Sequence, residues 1–260
     1  MKGIRILQPR YRELIWYKTW AGLRAEASQN YLSFLWWIFE PLLSMAVYYL
    51  VFGILIKRGT ADFVPFLLIG LILWQWFANT IAHNMNSILG SRQLMTQVDL
   101  PKAVFPSVVA CMDVIKFSCV FMLLLIFLWC YGFLPNSHYL ALPVVLLIQF
   151  TLNLTFAYFV AALIPFFPDL RFLVQAVLQL VFFVSGVLFD GASIPEQYQP
   201  YFYLNPMANL LDSYRDILMF DRWPDWRSLG IVFFFSFIGL ILSYALIAHY
   251  DRHYLRIIAR

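Results

Sequence analysis

Six long apolar runs, nearly free of charge, take up about half of the 260 residues. They lie at 34–56, 63–89, 117–134, 140–167, 172–189 and 229–248, and Glu40 is the only Asp, Glu, Lys or Arg inside them. A helix that crosses a bilayer needs ~20 mostly apolar residues, and a soluble domain carries ~25% charged residues for its surface. This chain has 12%. The reading is an all-α polytopic membrane protein occupying residues 1–260 as a single domain. Its spans are expected at 34–56, 63–89, 107–134, 140–167, 172–189 and 229–250. Cys111, Cys119 and Cys130 all fall in or beside the third run, so no disulfide framework is implied.

Six spans place both termini on one side. Thirteen of the 18 Lys and Arg fall in segments on that side, and Lys57, Arg58, Arg215, Arg222 and Arg227 fall on the other. The excess of basic residues marks the cytoplasmic face, so both termini are expected inside. No basic cluster interleaved with aromatics points to nucleic acid.

The segments between runs carry the functional signals. Residues 10–29 place Trp16, Trp20, Leu23 and Ala27 on one arc of a helix, which suggests an amphipathic helix lying in the membrane interface. Glu40-Pro41 suits the first turn of a helix, where a carboxylate meets the positive end of the dipole; pairing with a cytoplasmic cation is the other reading. His83 reads as an interfacial or helix-contact histidine rather than a proton relay, because no carboxylate accompanies it in the sequence. The stretch 90–106 mixes charges, two prolines and the apolar residues Leu94, Met95, Leu100 and Phe105. Exposed apolar residues ringed by polar ones form docking surfaces. Asp113 and Lys116, three apart, are placed to pair along one helix face. The turn 166–171 repeats the pattern around Asp169 and Arg171.

The outer segment 190–228 contains two helix starts, Ser193-Ile194-Pro195-Glu196 with capping-box spacing and Asn205-Pro206. Two short helices at the outer face follow. The second is amphipathic, with Met207, Leu210, Leu211, Tyr214 and Leu218 on one side and Asp212, Arg215 and Asp216 on the other. Asp212, Arg215, Asp216 and Asp221 form the nearest thing to a catalytic cluster, and also fit a solvated helix face.

The sequence has no G-x-x-x-x-G-K-[ST] phosphate loop, no Gly-x-Ser-x-Gly and no zinc-ligand spacing. ATP hydrolysis, if used, belongs to another chain. Aromatic residues make up 19% of the sequence. Trp36, Trp37, Tyr48, Tyr49, Trp74, Trp76 and Tyr158 are either interfacial belts or a lining for a sugar chain, whose ring faces slide over aromatic planes.

The order of these features resembles the type-2 ABC exporter permeases, in the branch that moves O-antigen, capsule or teichoic-acid polymers. The stretch Tyr31-Leu32-Ser33-Phe34-Leu35-Trp36-Trp37-Ile38-Phe39-Glu40-Pro41-Leu42-Leu43 looks like the family's lead into span one. Leu100-Pro101-Lys102-Ala103-Val104-Phe105-Pro106 looks like its coupling segment, and Phe166-Phe167-Pro168-Asp169-Leu170 like its second cytoplasmic turn. Ile194-Pro195, Tyr203-Leu204-Asn205-Pro206 and Tyr214-Arg215-Asp216 look like its outer gate helices. Pro168 stands where the family often has Arg, and Asp99 where it often has Val.

The resemblance implies a homodimeric channel in the bacterial inner membrane, driven by two copies of a separate ATPase that binds ATP and Mg. Coupling would run through Gln93, Leu94, Met95, Asp99, Leu100, Pro101, Lys102, Phe105, Asp169 and Arg171. Gating would involve Pro195, Asn205, Pro206, Tyr214 and Arg215. The cargo would be a lipid-linked glycan, with a drug or small-molecule exporter as the alternative. A membrane-embedded transferase and an assembly scaffold are the readings from other classes.

Overall fold

The computed structural model describes residues 8–29, 62–98 and 100–258, with isolated positions between 39 and 54. The expected first span, 34–56, therefore lies outside the described residues, as do Trp36, Trp37, Glu40, Pro41, Tyr48, Tyr49 and Asp99. The described residues are helical and contain no strand. The helices are α1 (Pro9–Gln29), α2 (Phe63–Asn84), α3 (Arg92–Gln97), α4 (Val104–Tyr131), α5 (Leu142–Leu163), α6 (Leu170–Val184), α7 (Gln199–Phe202), α8 (Pro206–Leu218), α9 (Trp226–His249) and α10 (Asp251–Ile258).

Four helices among the described residues, α2, α4, α5 and α9, are long and apolar enough to cross a membrane. The expected span at 172–189 is instead the 15-residue α6. At 1.5 Å per residue it covers ~22 Å, short of a ~30 Å hydrocarbon core. The chain breaks there because Ser185 leaves helical geometry and Gly186 adopts φ 73°, a left-handed conformation that a side chain resists. The span drawn to residue 89 ends at Asn84, and a turn and a short 3₁₀ segment, Leu89–Ser91, follow.

Local chemistry sets the other ends. At α4 the Gly132 N–H donates to the Leu128 carbonyl with φ 115° at Gly132, a left-handed C-cap. At α9 the Asp225 carboxylate accepts the Arg227 N–H. At α8 the Asn205 side chain accepts the Met207 N–H and Pro206 occupies the first helical position. The first outer helix expected from Ser193 is reduced to a 3₁₀ turn, Gly191–Ser193, capped by Asp190, and the four-residue α7.

Helix α2 is the centre of the bundle. It packs against α4, α5, α6 and α8. Of its apolar stretch 78% is buried, against 22% for α9, although both are apolar all round. The difference is position: α2 is enclosed by protein, while α9 turns Phe234, Phe235, Ile241 and Leu242 outward. Such outward apolar faces suit hydrocarbon as solvent. Helices α5 and α9 form the most extensive pair, and approach closely at Gly239, where an added Cβ would lie 2.6 Å from Thr155 Cγ2. Helix α1 lies along α4, burying Thr19 and Leu23 and joining Glu26 to Lys116 at 2.5 Å. The arc expected for α1 is split, with Leu23 against protein and Trp16 and Trp20 exposed.

The bundle has two ends. The near end gathers the C-terminus of α2, α3, the N-terminus of α4, the α5–α6 turn and α10. The far end gathers the C-terminus of α6 and the whole of 185–228.

Candidate functional site

The near end corrects the docking surface expected from the sequence. Met95, Leu100, Pro101, Lys102 and Phe105 are buried, and Leu94 is half-buried. Met95 and Phe105 belong to a small second core with Ile88, Tyr158, Ile247 and Tyr254. Helix α10 meets this core through Tyr254, which is fully buried in it. The Asp251 carboxylate accepts the Lys102 backbone N–H at 2.8 Å, and the Tyr254 hydroxyl donates to the Ala162 carbonyl at 3.1 Å. Phe166 packs edge-on to Tyr250 and against Tyr254. The Lys102 ammonium, in a residue 1% exposed, donates to the Leu100 carbonyl at 2.9 Å. The surface left exposed is Arg92, Gln93, Thr96, Gln97 and Val98, with Phe167, Pro168 and Asp169; Arg171 is half-buried.

A further pairing corrects the sequence reading. His83 does have a carboxylate: its Nδ1 lies 2.8 Å from Asp113 Oδ1. Asp113 is thus engaged with α2, and Lys116 also meets Glu26 of α1. The partners are 30 residues apart in sequence, so no local pattern reveals them.

The aromatic residues expected to line a path are in the protein core where they are described. Trp76 stacks on Phe117 at 4.0 Å and 9°, and Trp74 meets Phe77 and Phe182. The Tyr158 hydroxyl shares a 2.6 Å hydrogen bond with Ser107. All three are buried within the single chain.

The far end is organised by α8, which is inserted into the bundle rather than lying on it. Tyr214 is fully buried among α2, α4 and α8 side chains. Arg215, expected on a solvated face, is 2% exposed. Its Nη1 donates to the Gly186 carbonyl at 2.8 Å and its Nη2 to the Val187 carbonyl at 3.1 Å. Its guanidinium lies 3.4 Å above the Phe66 ring. The break after α6 frees those carbonyls in the bundle, where an unpaired carbonyl is costly, and Arg215 satisfies them. Gly70 of α2 makes the room: a Cβ there would lie 2.9 Å from Nη2 and 3.0 Å from the Val187 oxygen. Burial pushes the guanidinium down to about 10, which leaves it charged at neutral pH, with Asp212 Oδ1 3.6 Å away. Asn205 caps α8, and its Nδ2 also donates to Ser185 at 2.8 Å, so the α8 start is tied to the α6 end. Pro195 opens the turn that leads to α7.

Beside Arg215 lies a cleft of about 620 Å³ lined by Asp190, Asp212, Asp216 and Asp225 with Tyr203, Asn209, Phe220 and Arg222. Tyr203 Oη donates to Asp212 at 2.9 Å. Burial raises the Asp212 carboxyl above the ordinary carboxylate range, and burial together with Asp212 raises Asp216. Burial and the Asp212 charge raise the Tyr203 phenol. Among the described residues no group of His, Cys, Asp or Glu is arranged to hold a metal ion. A smaller apolar groove of about 360 Å³ between α5 and α9 shares Tyr203, Asn209 and Ser228 with the cleft. Asp221, once grouped with Asp212 and Asp216, instead accepts the Asn136 amide. Sequence reasoning missed Asp190, Asn209 and Asp225, which only the folding of 185–228 brings together with Tyr203.

Comparison with known proteins places residues 13–219 in a family model described as ABC-2 type transporter. The chain is 33% identical over 217 residues to an O-antigen export system permease protein RfbA from Myxococcus xanthus, covering 83% of this chain and 84% of that protein. A protein of the same name from Klebsiella pneumoniae is 26% identical, over 85% of this chain and 84% of its own length. The polysialic acid transport protein KpsM of Escherichia coli is 24% identical, over 86% of this chain and 88% of its own length.

Proposed function

The chain belongs to the ABC-2 type transporter family, and from that premise we propose that it is the membrane permease subunit of an ATP-driven polysaccharide exporter. The observation that carries the cargo class is the similarity, over more than four-fifths of both chains, to an O-antigen export permease. Polysialic acid transport by a more distant relative keeps the class to polysaccharides rather than drugs. In this reading ATP and Mg belong to a separate ATPase chain, and the given residues carry no phosphate loop of their own.

In this reading six spans cross the bacterial inner membrane, the first at 34–56 and the fifth built on α6. Both termini and the near end are cytoplasmic, which agrees with the Lys/Arg bias. Two copies of the chain enclose the path, and two ATPases dock below. The ATPase meets the exposed Gln93, Thr96, Gln97 and Val98 and the turn Phe167 to Asp169. Force passes inward because the same segment is anchored by Lys102 to Asp251 and by Met95 and Phe105 to the second core. Movement of α3 therefore drags α10, α4 and the end of α5 as one body. At the far end α7 and α8 are the gate, and Arg215 transmits motion between α8, α2 and the end of α6.

The deciding experiment removes the chain from its host and measures surface polymer. Loss of polymer, restored by the chain supplied together with its ATPase, is the expected result. Normal surface polymer without the chain sinks the reading.

A further inference from the structure

We propose that the apolar groove between α5 and α9 is a phospholipid site that prefers a primary-amine headgroup, as in phosphatidylethanolamine. This rests on the membrane placement above and not on the cargo. The groove measures about 360 Å³, within the ~300–1,000 Å³ range of small-molecule sites. Its walls are Leu152 and Phe156 of α5, Ile231, Val232 and Phe235 of α9, and Leu204 ahead of α8. Phe156, Leu204, Ile231 and Phe235 are exposed although apolar. The groove therefore opens on a face of the bundle whose fitting solvent is hydrocarbon.

Its depth and floor fit one acyl chain. From Ser228 to Ser236 the α9 wall runs ~12 Å, close to the ~15 Å half-thickness of a hydrocarbon core. Beyond Ser236 the close approach of Gly239 to Thr155 brings α5 and α9 together. On the floor the Thr155 hydroxyl already donates to the Ser236 carbonyl at 2.6 Å, so it demands no polar partner from an occupant. A chain from the leaflet at the far end meets apolar walls over its whole length in the groove.

The mouth selects the head. Tyr203, Asn209 and Ser228 line both this groove and the polar cleft beside it, so the two join into one amphiphilic site. The cleft presents the carboxylates of Asp190, Asp212, Asp216 and Asp225 and the guanidinium of Arg222. The Arg215 charge is committed to the Gly186 and Val187 carbonyls. Charge complementarity then excludes a purely anionic head and favours an amine. Asp190, Asp212 and Asp225 accept hydrogen bonds from the protein, and among the described residues the Asp216 carboxylate accepts none. A zwitterionic head answers Asp216 with its ammonium and Arg222 with its phosphate. A primary ammonium donates three hydrogen bonds, whereas a quaternary choline donates none.

The test is native mass spectrometry of the chain assembled with its ATPase, equilibrated with dioleoyl phospholipids that differ only in the head: ethanolamine, choline or glycerol. The expected result is retention of the ethanolamine lipid about tenfold over the choline lipid, the effect of one charge-assisted hydrogen bond, with the glycerol lipid weakest. Asp216→Asn should bring the ethanolamine lipid down to the choline level, and Asp216→Glu should restore its lead. Ile231→Trp, which fills the groove from its exposed wall, should lower retention of all three severalfold and keep their order. Equal retention of the three heads overturns the proposal, as does a preference that Asp216→Asn leaves intact. Displacement of the bound lipid by equimolar undecaprenyl phosphate assigns the groove to a prenyl tail and overturns it too. So does a disulfide formed between two copies carrying Phe235→Cys, which would put a second copy over the groove. Failed lipid tests with surface polymer still dependent on the chain overturn this site alone; polymer that persists without the chain overturns the export reading and leaves the site standing.

Discussion

Lys102 and Arg215 are both buried cations that donate to backbone carbonyls, and those carbonyls lie at very different distances along the chain. Lys102 satisfies Leu100, two residues back, while Arg215 satisfies Gly186 and Val187, 29 and 28 residues back. The ammonium is a compact point charge on a flexible stem; the guanidinium is a planar fork that bonds two carbonyls while its face rests on Phe66. The near end is thus a loop that closes on itself and is then strapped by α10. The far end is stapled across three helices by one side chain.

The largest expected effect comes from pulling the pin. Arg215→Ala leaves two carbonyls unpaired in the bundle and should lower unfolding free energy in detergent micelles by about 3–5 kcal/mol. Arg215→Lys should recover less than half of that, because an ammonium cannot bridge both carbonyls and stack on Phe66. Full recovery by lysine would erase the distinction between the two ends. Gly70→Ala attacks the same joint from α2, where the Val187 backbone oxygen cannot move aside, and should cost about 1–3 kcal/mol in the same assay.

At the near end the effects should be smaller and should separate by depth. Lys102→Met removes the loop's own bond to Leu100 and should cost about 1–2 kcal/mol, less than the arginine at the other end. Val98→Asp, at a residue 45% exposed, should leave the melting temperature within about 2 °C of wild type and reduce co-purification of the ATPase. Unchanged ATPase recovery would remove α3 from the docking surface. Met95→Asp, buried in the second core, should instead unfold the near end.

The smallest effect is a pH dependence in the cleft. Asp216 has a raised carboxyl in the folded chain, so its charged form disfavours folding relative to the unfolded chain. That penalty is present at neutral pH. It fades as pH falls through the raised folded value and is gone below the ordinary carboxylate range. Asp216→Asn should therefore melt slightly higher than wild type at pH 7, and the two curves should converge under acid. A difference that grows on acidification would contradict the assignment.

These comparisons also show where sequence reasoning succeeded. The helix start at Asn205-Pro206 was readable because a cap is a contact between residues two apart, here the Asn205 side chain and the Met207 N–H. The spans expected at 63–89, 107–134, 140–167 and 229–250 overlap the four long helices, with ends displaced by several residues. The run at 172–189 did not show where its helix would break, because the turn at Gly186 is stabilised by an arginine 29 residues away. Met95 and Phe105 read as exposed in the sequence for the same reason: Tyr254, which shares their core, lies about 150 residues further on. Trp74 and Trp76 have the composition of a sugar-binding face, but the central position of α2 commits them to packing.

By itself the sequence determined the helical class, most of the helix positions and the family, since each rests on the length, polarity and order of short segments. Only the tertiary structure decided which apolar residues face protein and which face outward, because lipid tails are as apolar as leucine and hydropathy cannot tell them apart. It also decided that Arg215 is buried and that His83 meets Asp113. Those outcomes depend on contacts between segments far apart in the chain, which no local pattern encodes.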